Sequence, residues 1–171
     1  MKMLEIGPGK SKISDEWVTV NIIKTPQTDF VVEWGWDRLP FEKESFDLVY
    51  ASHCLEHVPW SQTIFALKDA YRILKKGGAV EVWVPDFKYV IDCYLKKKCG
   101  DDWRKYNEDS NYMTWVNGRI FTYGENPHMA VFDKEYLVKS LNKAGFRDCK
   151  LLQKPRGYDH GKINLGIRGE K

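Results

Sequence analysis

The chain has 171 residues, a length that predicts a single domain over residues 1–171 with a buried core. Hydrophobic residues make up 43% and charged residues 30% of the sequence, as in an ordinary folded protein. No stretch approaches the ~20 apolar residues of a membrane span. The net charge of +3 does not favour nucleic acid or a membrane as partner. The chain begins in a structural motif with no targeting segment before it, so we expect a cytoplasmic protein.

Alternating apolar runs and amphipathic stretches predict an α/β sheet with helices on both faces. The predicted strands are 2–6, 17–22, 30–33, 46–52, 79–84, 147–152 and 162–168. The predicted helices are 61–76, capped by Ser61 and ended by Gly77-Gly78, then 87–98, then 134–144 between Asp133 and Gly145. A short polar loop joins the last two strands, so we expect a mostly parallel sheet with an antiparallel C-terminal strand.

Two segments depart from this regular alternation. Only about a dozen residues separate the first two strands, so we expect a tight loop or one helical turn there instead of a full helix. Residues 100–129 are aromatic and irregular, a pattern that indicates a functional loop or a helix that the pattern hides. We predict a substrate-side insertion or lid over residues 86–130.

The first strand runs into a Gly-x-Gly turn, Leu4-Glu5-Ile6-Gly7-Pro8-Gly9. Glycines allow a sharp turn and let a ligand approach the backbone. A dinucleotide site would need a third glycine and a helix after the turn. Lys12 stands at the third position and the helix is missing or stunted, so the dinucleotide interpretation fails.

Further motifs follow in order: Leu39-Pro40-Phe41, then 46–58 (FDLVYASHCLEHV), then a helix ending in a Leu-Lys-x-Gly-Gly pattern before a strand. With the Glu-x-Gly-x-Gly turn, this series resembles class I S-adenosylmethionine-dependent methyltransferases, nearest to the small "type 11" subgroup. The resemblance covers residues 2–146. It implies a Rossmann-like sheet and S-adenosylmethionine as cofactor.

The resemblance also implies which residues hold the cofactor: Glu5, Gly7, Pro8, Gly9, Asn21, Gly35, Trp36, Ser52 and His53. Asn21 stands where the family has an acidic residue for the ribose hydroxyls, so a charge-assisted hydrogen bond is replaced by a weaker neutral one. The family's acidic residue near the adenine is replaced by the segment containing Gly35 and Trp36. Trp36 is expected either to stack on the adenine or to pack in the core.

Methyl transfer needs in-line positioning, with a base only when the acceptor carries a proton of high pKa. The candidates for such a base are His53, His57 and His128, with Asp86 and Tyr123 behind them. Of these, His57, His128 and Asp86 are the predicted catalytic residues. For each histidine, a structural role is an equal alternative. Aromatic residues of the irregular segment are expected either to enclose the acceptor or to form a satellite core: Trp103, Tyr106, Tyr112, Trp115, Phe121 and Tyr123.

Two other patterns in the sequence suggest a zinc site and a nucleic-acid surface. The segment from His53 to His57 fits the His-x-x-Glu-His signature of inverted zinc peptidases, but that signature belongs inside a long helix and here follows a strand. We therefore expect no metal. The run Lys96-Lys97-Lys98 before Trp103 resembles a nucleic-acid surface, but a solvated helix end is favoured.

The sequence thus predicts a methyltransferase acting on a small-molecule or sugar-containing acceptor. The alternatives are a non-catalytic binding protein that keeps the fold, which Asn21 favours, and a nucleic-acid methyltransferase. The acceptor atom and the oligomeric state are not fixed by any motif.

Overall fold

The computed structural model describes residues 1–98, 111–122 and 126–171. Its strands are Met3–Ile6 (β1), Val18–Asn21 (β2), Phe30–Val31 (β3), Phe46–Ser52 (β4), Leu74–Pro85 (β5), Arg147–Leu152 (β6) and Asn164–Glu170 (β7). Its helices are Thr63–Ile73 (α1), Phe87–Lys96 (α2), Tyr112–Ile120 (α3) and Lys134–Ala144 (α4), with short 3₁₀ turns at Leu55–His57 and Gly161–Ile163. None of the described helices is both long enough and apolar enough to cross a membrane.

The seven strands form one sheet in the order β3-β2-β1-β4-β5-β7-β6. The strands β1 to β5 run parallel, whereas β7 is antiparallel to both β5 and β6. The mostly parallel sheet with an antiparallel C-terminal strand is therefore confirmed. The strand order reverses between β1 and β4, and ligands of open α/β sheets bind outside the carboxyl ends of the strands at such a point.

The helix α4 begins and ends where its sequence predicts. The Asp133 side chain accepts a hydrogen bond from the Tyr136 backbone at 2.7 Å, and Gly145 ends the helix with φ at +115°. A glycine suits this left-handed position because it carries no Cβ.

The helix α1 is shorter than predicted at both ends. Ser61 does not cap it, because residues 59–62 form a turn closed by the Gln62 amide on the Pro59 carbonyl at 2.7 Å. At the other end, the Ile73 carbonyl accepts a hydrogen bond from the Ser45 amide at 2.7 Å. Leu74 already pairs with β4. Tertiary pairing, not the glycine pair, ends this helix.

The irregular segment does hide a helix, α3. It packs with α2 and Ile163 in a separate cluster whose buried members include Val90, Cys93, Trp115 and Val116. Trp115 is fully buried, so for this residue the satellite core is confirmed over the substrate enclosure. Trp103, Tyr106 and Tyr123 lie outside the described residues. The lid over 86–130 stays a prediction.

The end of α2 also differs slightly from the sequence prediction. The helix ends at Lys96, and Lys97 adopts a left-handed conformation with φ at +50°. The ammonium group of Lys97 lies over the Tyr94 ring at 4.0 Å and over the Tyr112 ring at 5.0 Å. The lysine run thus occupies a helix end, as favoured above.

The two faces of the sheet are covered differently. Alternate residues of a strand point to opposite faces, and Val49 and Ala51 join the main core with α1 and α4. On the opposite face, Leu48 and Tyr50 pack with Trp17 and Trp83, and no described helix contributes to that cluster. Residues 7–17 contain turns and no helix, so the tight first connection is confirmed, and the helices α1 and α4 share one face.

A buried carboxylate anchors the loop that lies over the sheet face carrying Leu48 and Tyr50. Glu81, on β5, is 4% exposed. It receives two hydrogen bonds from Arg156, at 2.6 and 2.8 Å, and one from Arg168 at 2.9 Å. Burial alone would raise the pKa of Glu81, but the two guanidinium groups outweigh it and lower the pKa. Arg156 belongs to the loop between β6 and β7, so this ion pair fixes that loop to the sheet.

The turns after β1 and β4 touch at one point. A Cβ built on Gly7 would lie 2.2 Å from Sγ of Cys54, and the Cys54 thiol contacts the Ile6 carbonyl at 3.1 Å. Gly7 also has φ at +69°. No larger residue fits there without displacing Cys54.

We expect Glu81→Gln to lower the free energy of unfolding at pH 7 by about 2 kcal/mol, because charge-assisted hydrogen bonds of that size are lost. The pKa of Glu81 is held below its ordinary value of 4.5, so the stabilisation is present above that pH and is lost as the pH falls below it. Urea unfolding from pH 7 to pH 3 should show the difference between wild type and variant shrinking below pH 4.5. Glu170→Gln is the matched control: Glu170 contacts Arg168 at 3.5 Å and its side chain is 42% exposed. Equal effects of the two substitutions would contradict the anchoring role.

We expect Gly7→Ala to destabilise the protein by about 3 kcal/mol, the combined cost of a left-handed alanine and an overpacked contact. Gly77→Ala is the control, since Gly77 has φ at +76° and open space around its Cβ position. It should cost about 1 kcal/mol. Adding Cys54→Ala should remove most of the excess in a double-mutant cycle followed by urea unfolding. An excess that persists without the sulfur would show that the contact is not its cause.

Candidate functional site

Two adjoining cavities lie at the carboxyl ends of β1, β2 and β4. The smaller has a volume of about 390 Å³ and the larger about 990 Å³. Both are lined by Gly7, Gly9, His53 and His57. The two cavities therefore adjoin at the turn after β1 and at the segment after β4.

The smaller cavity contains the predicted residues Asn21 and Trp36, together with Glu33. The Asn21 side-chain oxygen accepts a hydrogen bond from the Ile22 amide at 2.9 Å. Trp36 is 55% exposed, so it does not pack in the core. Trp34 does, and its indole donates to the Ala66 carbonyl at 3.1 Å.

Gly35 has a structural role instead. It lines neither cavity in the described part of the chain. A Cβ on Gly35 would lie 2.4 Å from a Val58 methyl group, and its φ is +101°. This glycine allows the turn before Trp36 to pass beneath Val58.

The larger cavity contains the predicted residues Glu5, Pro8 and Ser52. Glu5 is 6% exposed and accepts a hydrogen bond from the Ile13 amide at 2.9 Å. Burial raises the pKa of Glu5 above its ordinary value. The carboxylate therefore holds the loop after Gly9 in place while facing the cavity.

A buried carboxylate, Glu56, lies on the wall of the larger cavity among three histidines. It is 1% exposed, with Oε1 3.2 Å from Nδ1 of His53 and 3.9 Å from Nε2 of His128. Neither carboxylate oxygen accepts a hydrogen bond from the described residues. Burial alone would raise the pKa of Glu56, but the surrounding histidines, His53 foremost, lower it.

The His53 ring lies between the Glu56 carboxylate and the side-chain oxygen of Asn164. Its Nε2 lies 2.8 Å from the side-chain oxygen of Asn164, whose amide group donates to Asp159 at 2.6 Å. Burial alone would lower the pKa of His53, but Glu56 and Asn164 outweigh it and raise the pKa. The ring of His160 lies 3.8 Å away, and burial together with His53 lowers its pKa to about 4. The raised pKa favours the protonated form of His53, and the lowered pKa favours the neutral ring of His160.

His57 and His128 are brought together, with ring centroids 4.8 Å apart. The Nδ1 atom of His57 contacts the Pro127 carbonyl at 3.2 Å, and Nδ1 of His128 contacts the Arg119 carbonyl at 3.2 Å. A carbonyl only accepts, so in each of these contacts the Nδ1 atom carries a proton and donates.

The other predicted catalytic residue, Asp86, is placed elsewhere. Its side chain accepts a hydrogen bond from the Lys88 amide at 3.0 Å and caps α2. It lines neither cavity among the residues described. The structure therefore separates Asp86 from His57 and His128. Tyr123 lies outside the described residues.

The zinc-peptidase arrangement is also not formed. His53 precedes a 3₁₀ turn of only three residues, Leu55–His57, and has a left-handed φ of +52°. The two histidines of the signature therefore do not share a helix. Sequence reasoning overlooked Glu56 as the centre of the cluster, although the Leu-Glu-His motif already placed it beside His57.

Comparisons with known proteins agree with this architecture. A family model described as a methyltransferase domain matches residues 4–82. A demethylmenaquinone methyltransferase of Staphylococcus haemolyticus is 28% identical over 155 residues, which are 87% of this chain and 56% of the relative. A ubiquinone/menaquinone biosynthesis C-methyltransferase of Agrobacterium fabrum is 32% identical over 112 residues, 66% of this chain and 37% of the relative. The chain thus spans about half the length of the curated relatives it matches, or less.

Solved structures share the fold. A methyltransferase of Thermotoga maritima, described as S-adenosylmethionine-dependent, matches with a TM-score of 0.56 and 24% identity, covering 99% of this chain and 82% of that one. One from Archaeoglobus fulgidus gives 0.65 with 14% identity, covering 99% and 86%. Human N-acetylserotonin methyltransferase, solved with S-adenosylmethionine, gives 0.57 with 16% identity, covering 99% of this chain and 47% of that one. These structures share the fold, and together with the methyltransferase-domain match over residues 4–82 they support a class I S-adenosylmethionine-dependent methyltransferase of the type 11 kind.

Proposed function

We propose that the chain catalyses methyl transfer from S-adenosylmethionine to a small-molecule acceptor. The observation that carries the proposal is the pair of cavities joined at Gly7 and Gly9, at the point where the strand order reverses. Open α/β sheets hold their ligands at that point. Two cavities that share lining residues suit a ligand with a nucleoside at one end and an amino acid at the other.

The residues of the cavities fit the cofactor. A Cβ on Gly9 would meet no protein atom within 4 Å, so the missing side chain leaves room for a ligand beside the backbone. In the proposal, Asn21 binds the ribose and the exposed face of Trp36 stacks on the adenine. Glu5 and Ser52 bind the amino-acid end, where the acidic Glu5 suits the ammonium group.

The cofactor supplies a methyl group on a sulfonium: the acceptor atom bonds to the methyl carbon while the sulfur–carbon bond breaks and its electron pair stays on sulfur. The chain's own contribution is positioning, which accounts for large accelerations without a covalent intermediate. His57 and His128 line the larger cavity and stay the candidate catalytic residues. Asp86, which caps α2, is left out of this proposal.

The acceptor is proposed to be a small molecule. The relatives' names describe methyltransferases of quinone biosynthesis, which supports an aromatic acceptor as the first to assay. The larger cavity, at about 990 Å³, lies within the usual size range for small-molecule sites. A nucleic-acid acceptor is not favoured, because Lys97 lies over tyrosine rings at the end of α2.

We expect Gly9→Ala to weaken binding of S-adenosylhomocysteine by about tenfold, equivalent to about 1.4 kcal/mol, because the new methyl group projects into the ligand's space. Isothermal titration calorimetry with S-adenosylmethionine and S-adenosylhomocysteine measures this. Gly77→Ala is the control, because Gly77 has the same left-handed backbone and the same open surroundings but lies outside both cavities.

Transfer of a labelled methyl group to a demethylated naphthoquinol, with the same variants, tests the activity itself. Binding by the wild type that Gly9→Ala weakens and Gly77→Ala leaves unchanged supports the site. No binding at millimolar ligand would overturn the proposal in favour of a non-catalytic protein that keeps the fold. Binding that falls equally in both variants would point to strain and remove Gly9 from the site.

We expect Asn21→Asp to bind S-adenosylhomocysteine more tightly, by about fivefold, because a carboxylate makes charge-assisted hydrogen bonds to ribose hydroxyls that are about twice as strong as neutral ones. Asn142→Asp adds the same charge on the exposed side of α4 and serves as the control. The readout is the calorimetric Kd for each variant. An equal gain in both variants would show a net-charge effect, and a loss in Asn21→Asp would place the ribose elsewhere.

A further inference from the structure

We propose that Glu56, His57 and His128 form a binding site for a divalent transition-metal ion, with Zn²⁺ as the probe. One candidate ligand atom from each of the three residues lies within 4.8 Å of the others. The site goes beyond the proposed methyl transfer, because the three side chains would bind the ion whether or not the cofactor is present.

The first support is the orientation of the two imidazoles. Metal-binding histidines almost always donate their second ring N–H to a carbonyl or carboxylate, which fixes the tautomer. His57 donates from Nδ1 to the Pro127 carbonyl, and His128 donates from Nδ1 to the Arg119 carbonyl, each at 3.2 Å. Both rings are therefore held in the tautomer whose Nε2 can bind a metal.

The second support is the carboxylate. Glu56 is 1% exposed, and neither of its oxygens accepts a hydrogen bond within the described ranges. A buried carboxylate without such partners is costly, and a metal ion is one of the few groups that can compensate it. His53 lies 3.2 Å from Oε1 and supplies part of the compensation. The other oxygen has no comparable ion-pair contact among the described residues.

The donor set selects the class of ion. Two neutral imidazoles and one carboxylate suit zinc or iron, whereas Mg²⁺ prefers oxygen ligands alone. A four-coordinate zinc ion with bonds of about 2.1 Å brings its ligand atoms to about 3.4 Å apart. Side-chain rotation of His57 and His128 toward Glu56 closes the difference. The neighbouring Cys54 is not one of the clustered ligands, and its thiol contacts the Ile6 and Ser52 carbonyls at 3.1 and 3.2 Å.

The proposed ion faces the larger cavity, which Glu56, His57 and His128 all line. Three protein ligands leave a fourth position open, as in catalytic zinc sites. If the chain is a methyltransferase as proposed, this open position extends the acceptor class to molecules with an oxygen that ligates the ion. The ion would then orient the acceptor beside the turn at Gly7.

The test is titration of the chelator-treated full chain with Zn²⁺ by calorimetry, and with Co²⁺ by visible absorption. We expect one ion per chain, with Mg²⁺ failing to compete. Glu56→Gln and His128→Gln should each weaken Zn²⁺ binding at least tenfold. His160→Gln is the matched control, because His160 contacts His53 but is not one of the three ligands. It should leave Zn²⁺ binding unchanged.

A measurement on the wild type alone covers variants that fail to fold. Imidazole ¹⁵N spectra should show Zn²⁺ shifting Nε2 of His57 and His128 and leaving His160 unmoved. Absence of binding at a Zn²⁺ concentration of about 10⁻⁴ M, the weak end of protein metal sites, would overturn the site. Equal losses of Zn²⁺ binding in Glu56→Gln, His128→Gln and His160→Gln would also overturn it. Calorimetry with S-adenosylhomocysteine on the metal-free chain is run separately. A lost metal site with intact cofactor binding, or the reverse, identifies which proposal fails.

Discussion

The close contact between Gly7 and Cys54 is the constraint on which the site depends. Because a Cβ at Gly7 would lie 2.2 Å from the Cys54 sulfur, the turn after β1 and the turn after β4 pack without a side chain between them. That packing leaves a cavity on each side of the β1 turn. It also directs the chain after Cys54 into the 3₁₀ turn that carries Glu56 and His57. Both the proposed cofactor site and the proposed metal site are therefore set by one glycine.

The ends of α4 could be predicted because local sequence determines them. Asp133 and Gly145 supply the cap and the stop of α4 with their own side chains and backbone freedom. The helix α1 could not be bounded in the same way, because its last carbonyls accept hydrogen bonds from the Glu44 and Ser45 amides, which lie just before β4. A sequence window around residues 61–76 contains no trace of those partners. Where local propensity allows several helix ends, tertiary hydrogen bonds determine which residue is the last of the helix.

Some residues of the candidate site could likewise be predicted from the sequence, and others could not. Gly7, Gly9 and Asn21 follow directly from strand ends, so the sequence motif was enough to place them at the cavities. Asp86 also follows a strand end, but the helix that starts after it uses the carboxylate as a cap. The meeting of Glu56 with His128 joins residues from distant parts of the chain. Its detection needs the fold, because no short-range pattern links the two.

The ion pair on the sheet face that carries Leu48 and Tyr50 contributes both to stability and to the geometry of the site. The loop between β6 and β7 is fixed by Arg156 on Glu81, and the same loop delivers His160 against His53. Asn164, where β7 begins, holds the other side of the His53 ring. Because His53 in turn contacts Glu56, the ion pair on the sheet face supports the geometry of the buried carboxylate. The loop between β6 and β7 and its salt bridge therefore help to position His53 and Glu56.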